Sequence, residues 1–158
     1  MRAIVLPEYG PASAFQLRTL PDPTPGANEI AVRMAGAGLN PVDWKQRSGA
    51  IHQYMPLALP AVIGRDASGT VAAVGPGVTA FAVGDRVLGR LPGGGYAELV
   101  VAPVASWARL PAKIDLADAG ALPLVLLTGA QLVEEAVDAR AGETILVTGA
   151  TGATTSSA

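Results

Sequence analysis

Cysteine is absent from this 158-residue sequence, and histidine occurs once, at His52. Without thiols there is neither a disulfide nor a thiolate metal site, and a single imidazole excludes an ordinary structural or catalytic zinc site. No metal is therefore expected. Charge is scarce as well: 15% of residues are charged, the formal net charge is −2, and no basic block occurs. That balance argues against nucleic acid or an acidic membrane surface as a partner. Long hydrophobic runs are missing too. Two uncharged stretches, residues 67–84 and 119–133, are interrupted by Gly75-Pro76-Gly77 and by Pro123 and Gln131. A membrane span needs roughly 20 mainly apolar residues, so both read as protein core, and a cytoplasmic location is expected. Only four apolar residues separate Met1-Arg2 from Pro7-Glu8, so no signal peptide is expected.

Half of the residues are hydrophobic, enough for a globular core. The 19 glycines and 13 prolines are scattered without a period, which points to many short strands and turns rather than to a repeat. Residues 2–6 and 15–20 read as short strands, each closed by proline. Residues 28–35 alternate, with Ile30, Val32 and Met34 on one face and Glu29, Ala31 and Arg33 on the other, as in a half-buried strand. Residues 62–74 read as one long strand of small residues in which Gly64 and Gly69 mark a bulge or a close backbone approach. Shorter strands follow within residues 81–88, 96–102 and 106–110. Residues 1–112 are thus expected to form a small barrel or sandwich.

After Pro111 the period changes. Asp115 is placed to cap a helix running through Gly120. Residues 122–137 carry Leu122, Val125, Leu126, Leu132, Val133 and Val137 on one face and Gln131, Glu134, Glu135 and Asp138 opposite, an amphipathic helix. Residues 144–147 read as a buried strand, followed at once by a glycine-rich turn beginning at Thr148-Gly149. The overall expectation is mainly β with a few helices (α+β), divided into residues 1–112 and 113–158.

Residues 37–69 gather the polar candidates. Asn40-Pro41 reads as a helix entry, with Asn40 as the cap and Pro41 at the first helical position. Asp43 and Lys45 fall on the first turns, and Tyr54 lies in the Pro-rich crossing that follows. Such a loop and helix start can hold a polar ligand; equally, Asn40 can be only a cap, with Asp43 and Lys45 solvated and Tyr54 a packed anchor. Gly149 and Gly152, directly after a strand, fit a turn that lets backbone approach a pyrophosphate, and they also fit a plain β-turn.

Five blocks in order make the comparison more specific. They are Gly38-Leu39-Asn40-Pro41-Val42-Asp43-Trp44-Lys45; Pro60 through Gly64-Arg65-Asp66 to Gly69, with Val83-Gly84-Asp85-Arg86-Val87; Gly94-Gly95-Tyr96-Ala97-Glu98; Ala121-Leu122-Pro123-Leu124 with Thr128; and Ile145-Leu146-Val147-Thr148-Gly149-Ala150. The sequence resembles the medium-chain dehydrogenase/reductase superfamily, in particular its zinc-independent quinone oxidoreductase branch. The resemblance implies a GroES-like, partly open β-barrel, followed by a helix and the first strand of an incomplete dinucleotide-binding (Rossmann) domain. It implies NADPH as cofactor and hydride transfer to a quinone or an activated α,β-unsaturated carbonyl (enone), with a homodimer among the assemblies it allows. It further implies Asn40, Asp43 and Tyr54 as catalytic-site residues, and Asn40, Lys45, Thr128, Gly149 and Gly152 as cofactor-binding ones. The zinc-dependent members need a Cys near position 40 and a His-Glu pair after Gly64; here Asn40 and Arg65-Asp66 stand there. Most of the cofactor domain is not represented, and the chain on its own is expected to turn over little or not at all. The alternative is a non-catalytic GroES-like structural or interaction module.

Overall fold

The structure, a computed structural model, describes residues 1–149 and Gly152. Strand β1 (Arg2–Leu6) pairs antiparallel with β2 (Gln16–Thr19) on one side and with β4 (Ala61–Val62) on the other, forming a three-stranded sheet. The larger sheet has five strands. In it, β3 (Glu29–Gly36) and β5 (Asp66–Val74) pair at the centre, β7 (Leu99–Pro103) flanks β3, and β6 (Arg86–Arg90) followed by β8 (Trp107–Arg109) flanks β5. The two sheets meet where Ala3 bridges Ala97 and the Ile4 N–H donates to the Tyr96 carbonyl at 2.8 Å. The fold is therefore mostly open β-sheet, in agreement with the mainly β expectation.

The core follows from the strand alternation. Ile30 and Val32 of β3 are buried together with Ala67, Val71, Val87, Val100 and Trp107 from the other strands of the large sheet and Leu91 just after β6, while Arg33 is exposed. Ala31 is buried as well, so the expected polar face of β3 is only partly polar.

Residues 62–74 do not form one strand. The chain leaves the small sheet after Val62, turns at Gly64 and enters the large sheet at Asp66, so the segment contributes β4 to one sheet and β5 to the other. Gly64 makes the switch because its φ is +101°, a left-handed value that L side chains avoid. A Cβ there would also lie 2.6 Å from the Tyr96 ring.

Helix α1 (Pro41–Ser48) starts at the expected Asn40 cap and ends at Gly49, whose φ of 79° terminates it in the left-handed conformation. Farther on, the Asp115 carboxylate accepts from the Ala117 N–H at 2.8 Å and the Asp118 N–H at 3.2 Å, but the element it caps is only a 3-10 turn, Asp118–Ala121. Helix α2 (Pro123–Gln131) then begins at Pro123, which suits a first helical position, and passes into a π-turn at Leu132–Ala136. The apolar face expected over 122–137 is only partly covered: Leu122, Val125 and Val133 are half-buried, whereas Leu126, Leu132 and Val137 remain exposed.

The strand expected at residues 144–147 does not form. The segment belongs to no sheet, and Leu146 is 88% exposed. A β-strand exists only through its ladder, and no other described strand lies alongside to supply one. The rest of the expected glycine turn, residues 150, 151 and 153–155, lies outside the described residues. Among the described residues no helix is long and apolar enough to cross a membrane.

The sheet switch has a direct test. Gly64→Ala adds both a left-handed strain and a clash with the Tyr96 ring, so it is expected to cost at least about 2 kcal/mol in urea unfolding of the chain. An unchanged midpoint would show that residues 62–66 accommodate a side chain.

Candidate functional site

The site begins with a helix cap. Asn40 adopts an extended conformation (φ −119°, ψ 159°) and forms a capping box with Asp43. The Asp43 Oδ2 accepts from the Asn40 N–H at 2.8 Å, and the Asp43 N–H donates back to the Asn40 carbonyl at 3.0 Å. Sequence spacing alone accounts for this, because Asp43 stands at the third helical position and so can reach back to the cap. Asp43 is 1% exposed, and its Oδ1 has no hydrogen-bond partner.

Asp66, the first residue of β5, is completely buried and binds two elements at once. Its Oδ2 accepts from the Asn40 Nδ2 at 2.8 Å, and its Oδ1 accepts from the Leu124 N–H at 2.9 Å. Pro123 has no N–H, so Leu124 carries the first donor of α2, and the carboxylate sits at the positive end of that helix. The approach requires Gly38, since a Cβ there would lie 2.9 Å from the Asp66 Oδ2. Burial raises the Asp66 carboxyl above the ordinary carboxylate range, while the bonds from Asn40 and Leu124 work to lower it. Tyr96, whose hydroxyl donates to the Gly38 carbonyl at 3.4 Å, is pushed well above its ordinary value by burial and by the nearby Asp43 and Asp66 carboxylates. It therefore stays protonated. Arg65 is lowered by burial and by Arg90, with Asp43 opposing, and its Nε has no partner.

Behind this clamp opens a cavity of about 660 Å³ whose walls include Gly38, Asn40, Leu124, Thr128, Gly149 and Gly152. Four of the residues expected from the sequence thus converge: Asn40, Thr128, Gly149 and Gly152. The Thr128 hydroxyl donates to the Leu124 carbonyl at 2.7 Å, which leaves its oxygen lone pairs as acceptors. Gly149 has a φ of 67°, which opens the backbone without a side chain. No charged side chain lines this space, so its chemistry suits a neutral polar group such as a carboxamide or a ribose.

The other expected residues lie elsewhere. Asp43 sits behind Asn40 and does not line the cavity. Lys45 is on the exposed side of α1, with its ammonium 5.6 Å from the centre of the Trp44 ring. Tyr54 is 84% exposed in the turn after α1 and is not a lining residue. Among the described residues no group of three or more His, Cys, Asp or Glu could hold a metal ion. Among the other cavities of the described residues, one beside Phe15, Met34 and Tyr96 and one beside Trp107, Leu126 and Leu127 are mainly apolar.

Sequence reasoning passed over Asp66, Tyr96 and Ser68 as site residues. Ser68 donates to the Leu116 carbonyl at 2.5 Å and so helps tie the segment before α2 to β5. One signal was present: Arg65-Asp66 interrupts an otherwise small and apolar strand, and a charge in such a run must find buried partners.

Comparison with known proteins extends the likeness beyond these residues. The alcohol dehydrogenase GroES-like domain matches residues 26–112. The chloroplast envelope quinone oxidoreductase homolog of Arabidopsis thaliana is 36% identical, over 96% of this chain and 49% of its own length. The quinone oxidoreductase of Rattus norvegicus is 35% identical, over 96% of this chain and 46% of its own. Among solved structures, the human synaptic vesicle membrane protein VAT-1 homolog-like protein superposes with a TM-score of 0.91 at 31% identity, covering 99% of this chain and 50% of that one. A mycobacterial protein complexed with NADPH superposes with a TM-score of 0.87 at 36% identity, covering 99% of this chain and 48% of that one. The chain spans about half the length of the curated relatives it matches.

Two carboxyls of opposite behaviour test the electrostatics. In a carbon-detected NMR titration, Asp66 is expected to titrate above the ordinary value of about 3.9 and Asp115 below it. Asp115 is lowered by bonds from the Asp118 and Ala117 N–H groups. Its stabilisation is therefore present above the ordinary pKa and is lost as pH falls through the lowered value. Asp66 has the opposite sign: its contribution is present below the ordinary pKa and is lost as pH rises through the raised value. An Asp66 midpoint at or below the ordinary value would contradict its placement in a desolvated clamp.

Proposed function

This chain belongs to the alcohol dehydrogenase GroES-like domain family, and we propose that it is part of a zinc-independent, NADPH-dependent oxidoreductase acting on quinones or activated α,β-unsaturated carbonyls. The observation that carries this reading is the convergence of Asn40, Thr128, Gly149 and Gly152 on one cavity, although they are drawn from a helix cap, a second helix and a glycine turn. Support comes from the quinone oxidoreductases among its relatives and from the NADPH complex among its structural neighbours.

The donor set fits the nicotinamide end of such a cofactor. Thr128 offers acceptor lone pairs to a carboxamide NH2, and Asn40 presents a fixed side-chain amide on the opposite wall. Gly149 and Gly152 allow close backbone approach, and Leu39, Ala121 and Leu124 furnish apolar surface against which a nicotinamide ring can pack. A bound reduced nicotinamide supplies the hydride. The residues present orient it, and they supply no zinc ligand set, because Asn40 and Arg65-Asp66 occupy the positions concerned. With a quinone as acceptor the product oxyanion can take its proton from water, so no acid–base side chain is required. Asp43, buried behind Asn40 and committed to its N–H, is placed to hold that residue rather than to meet substrate. Tyr54, 84% exposed, and Lys45 serve the site only if they meet substrate or cofactor at its outer edge.

A second reading, a non-catalytic GroES-like interaction module, draws on the uncovered Leu126, Leu127 and Leu132 and on the unpaired residues 144–147. Fluorescence titration of the purified chain with NADPH separates the two. Saturable binding is expected, with Thr128→Trp abolishing it by filling the cavity, while turnover with a simple quinone stays low. No saturation by a chain shown to be folded would leave the interaction module. Steady NADPH consumption would show instead that the chain is catalytically sufficient.

A further inference from the structure

The two walls of the cavity come from elements with no backbone pairing between them. One is the cap of α1, which carries Asn40; the other is α2, which carries Leu124 and Thr128. Asp66 stands between them with one carboxylate oxygen committed to each, at 2.8 Å to the Asn40 Nδ2 and 2.9 Å to the Leu124 N–H. We propose that Asp66 is the positioning residue of the nicotinamide cavity, an assignment that rests on the function proposed above: its two oxygens hold the Asn40 amide on one wall and the start of α2 on the other, and so set the spacing and orientation of the groups that meet the cofactor.

Three features lead there. First, the connection runs directly into a lining residue. Leu124 receives Asp66 at its N–H and the Thr128 hydroxyl at its carbonyl, at 2.7 Å, so a displacement of Leu124 moves Thr128 with it. Second, the surroundings are too tight for the carboxylate to shift without consequence: side chains at Gly38 and Gly120 would collide with Asp66 and with the Gly36 backbone respectively. Third, the bonding pattern demands two acceptors. A carboxylate has them and an amide does not. With asparagine at position 66, one orientation of its amide turns the NH2 toward the Leu124 N–H, and the other keeps both connections only if the Asn40 amide flips and withdraws its oxygen from the Asp43 N–H of the capping box, so one buried hydrogen bond is lost either way.

That asymmetry supplies a rescue. Combining Asn40→Asp with Asp66→Asn reverses donor and acceptor at the first bond while leaving an oxygen for the Leu124 N–H, and aspartate is also a good helix cap. The clamp is thus rebuilt with its polarity exchanged and the net charge unchanged.

The test uses the whole chain and two readouts, NADPH affinity by fluorescence titration and hydrogen exchange at the Leu124 amide. Asp66→Asn is expected to weaken NADPH binding at least about tenfold, the scale of one lost hydrogen bond to a charged group. It is also expected to speed exchange at Leu124 while the β3 and β5 amides keep their protection. The double substitution should restore the protection of the Leu124 amide; NADPH affinity is read on the single variant alone, because position 40 itself lines the cavity. A folded Asp66→Asn variant that binds NADPH like the wild type overturns the assignment, and so does a folded double variant whose Leu124 amide exchanges as fast as in Asp66→Asn. If the single variant fails to fold, Leu124 exchange in the double variant decides: wild-type protection supports the assignment and its loss overturns it. A wild-type chain that never saturates with NADPH overturns the proposed function itself and this assignment with it, an outcome visible before any substitution is made.

Discussion

One buried carboxylate organises the functional half of this molecule. Asp66 enters the large sheet at the first residue of β5 with no solvent contact, and a charge so placed is tolerable only when both oxygens are satisfied. Its partners are the side-chain amide that caps α1 and the first available N–H of α2. Hydrogen bonds to a charged group contribute about 1.5–3 kcal/mol each, and removing one partner leaves the other buried and unpaired. The β-sheet, both helices and the walls of the cavity therefore meet at a single residue. The glycines around it follow from the same demand, because Gly38 and Gly120 let two backbone segments and the carboxylate share a space that any side chain would fill.

Much of this was legible in the sequence wherever the signal was local. The alternation of Ile30 and Val32 marks β3, and the Asn40-Pro41 pair with Asp43 three residues on marks the start of α1. In each case the interactions lie within a few residues of one another. The convergence of Asn40, Thr128, Gly149 and Gly152 was legible by resemblance only, since nothing in their spacing shows that they share a cavity. Legibility failed where the outcome depends on distant partners. Residues 62–74 look like one strand, but Gly64 at φ +101° sends the two halves to different sheets, and the choice depends on Tyr96 packing against the turn. Residues 144–147 have strand composition without a neighbour to pair with, and composition alone does not make a ladder. Asp66 could be noticed as a charge in an apolar run, but its two partners lie 26 and 58 residues away.

The capped helix and the proposed ligand site are one piece of architecture. Asn40 does not choose between capping and lining a cavity. Its backbone and side chain are held by Asp43 and Asp66, and the residue so fixed forms part of the wall. Preorganisation of this kind removes the cost of ordering the group when a ligand arrives. It also explains why Asp43 and Asp66, both fully desolvated acids, stand near a cavity with no charged lining. They act on its shape, and the cavity itself remains suited to a neutral polar group. The uncovered apolar residues of α2 and of residues 145–147 lie in the same C-terminal part of the chain, which spans about half the length of its curated relatives.

The central claim is that a nicotinamide nucleotide occupies the space between Asn40 and Thr128. Chemical-shift mapping by two-dimensional NMR, with NADPH added to the labelled chain, addresses it most directly. The expected result is a set of shifts confined to the Asn40 side-chain amide, Leu124, Thr128, Gly149 and Gly152, with Met34, Leu88 and Trp107 unmoved. Shifts centred on the cavity beside Phe15 and Met34 or on the one beside Trp107, with Asn40 and Thr128 silent, would contradict it.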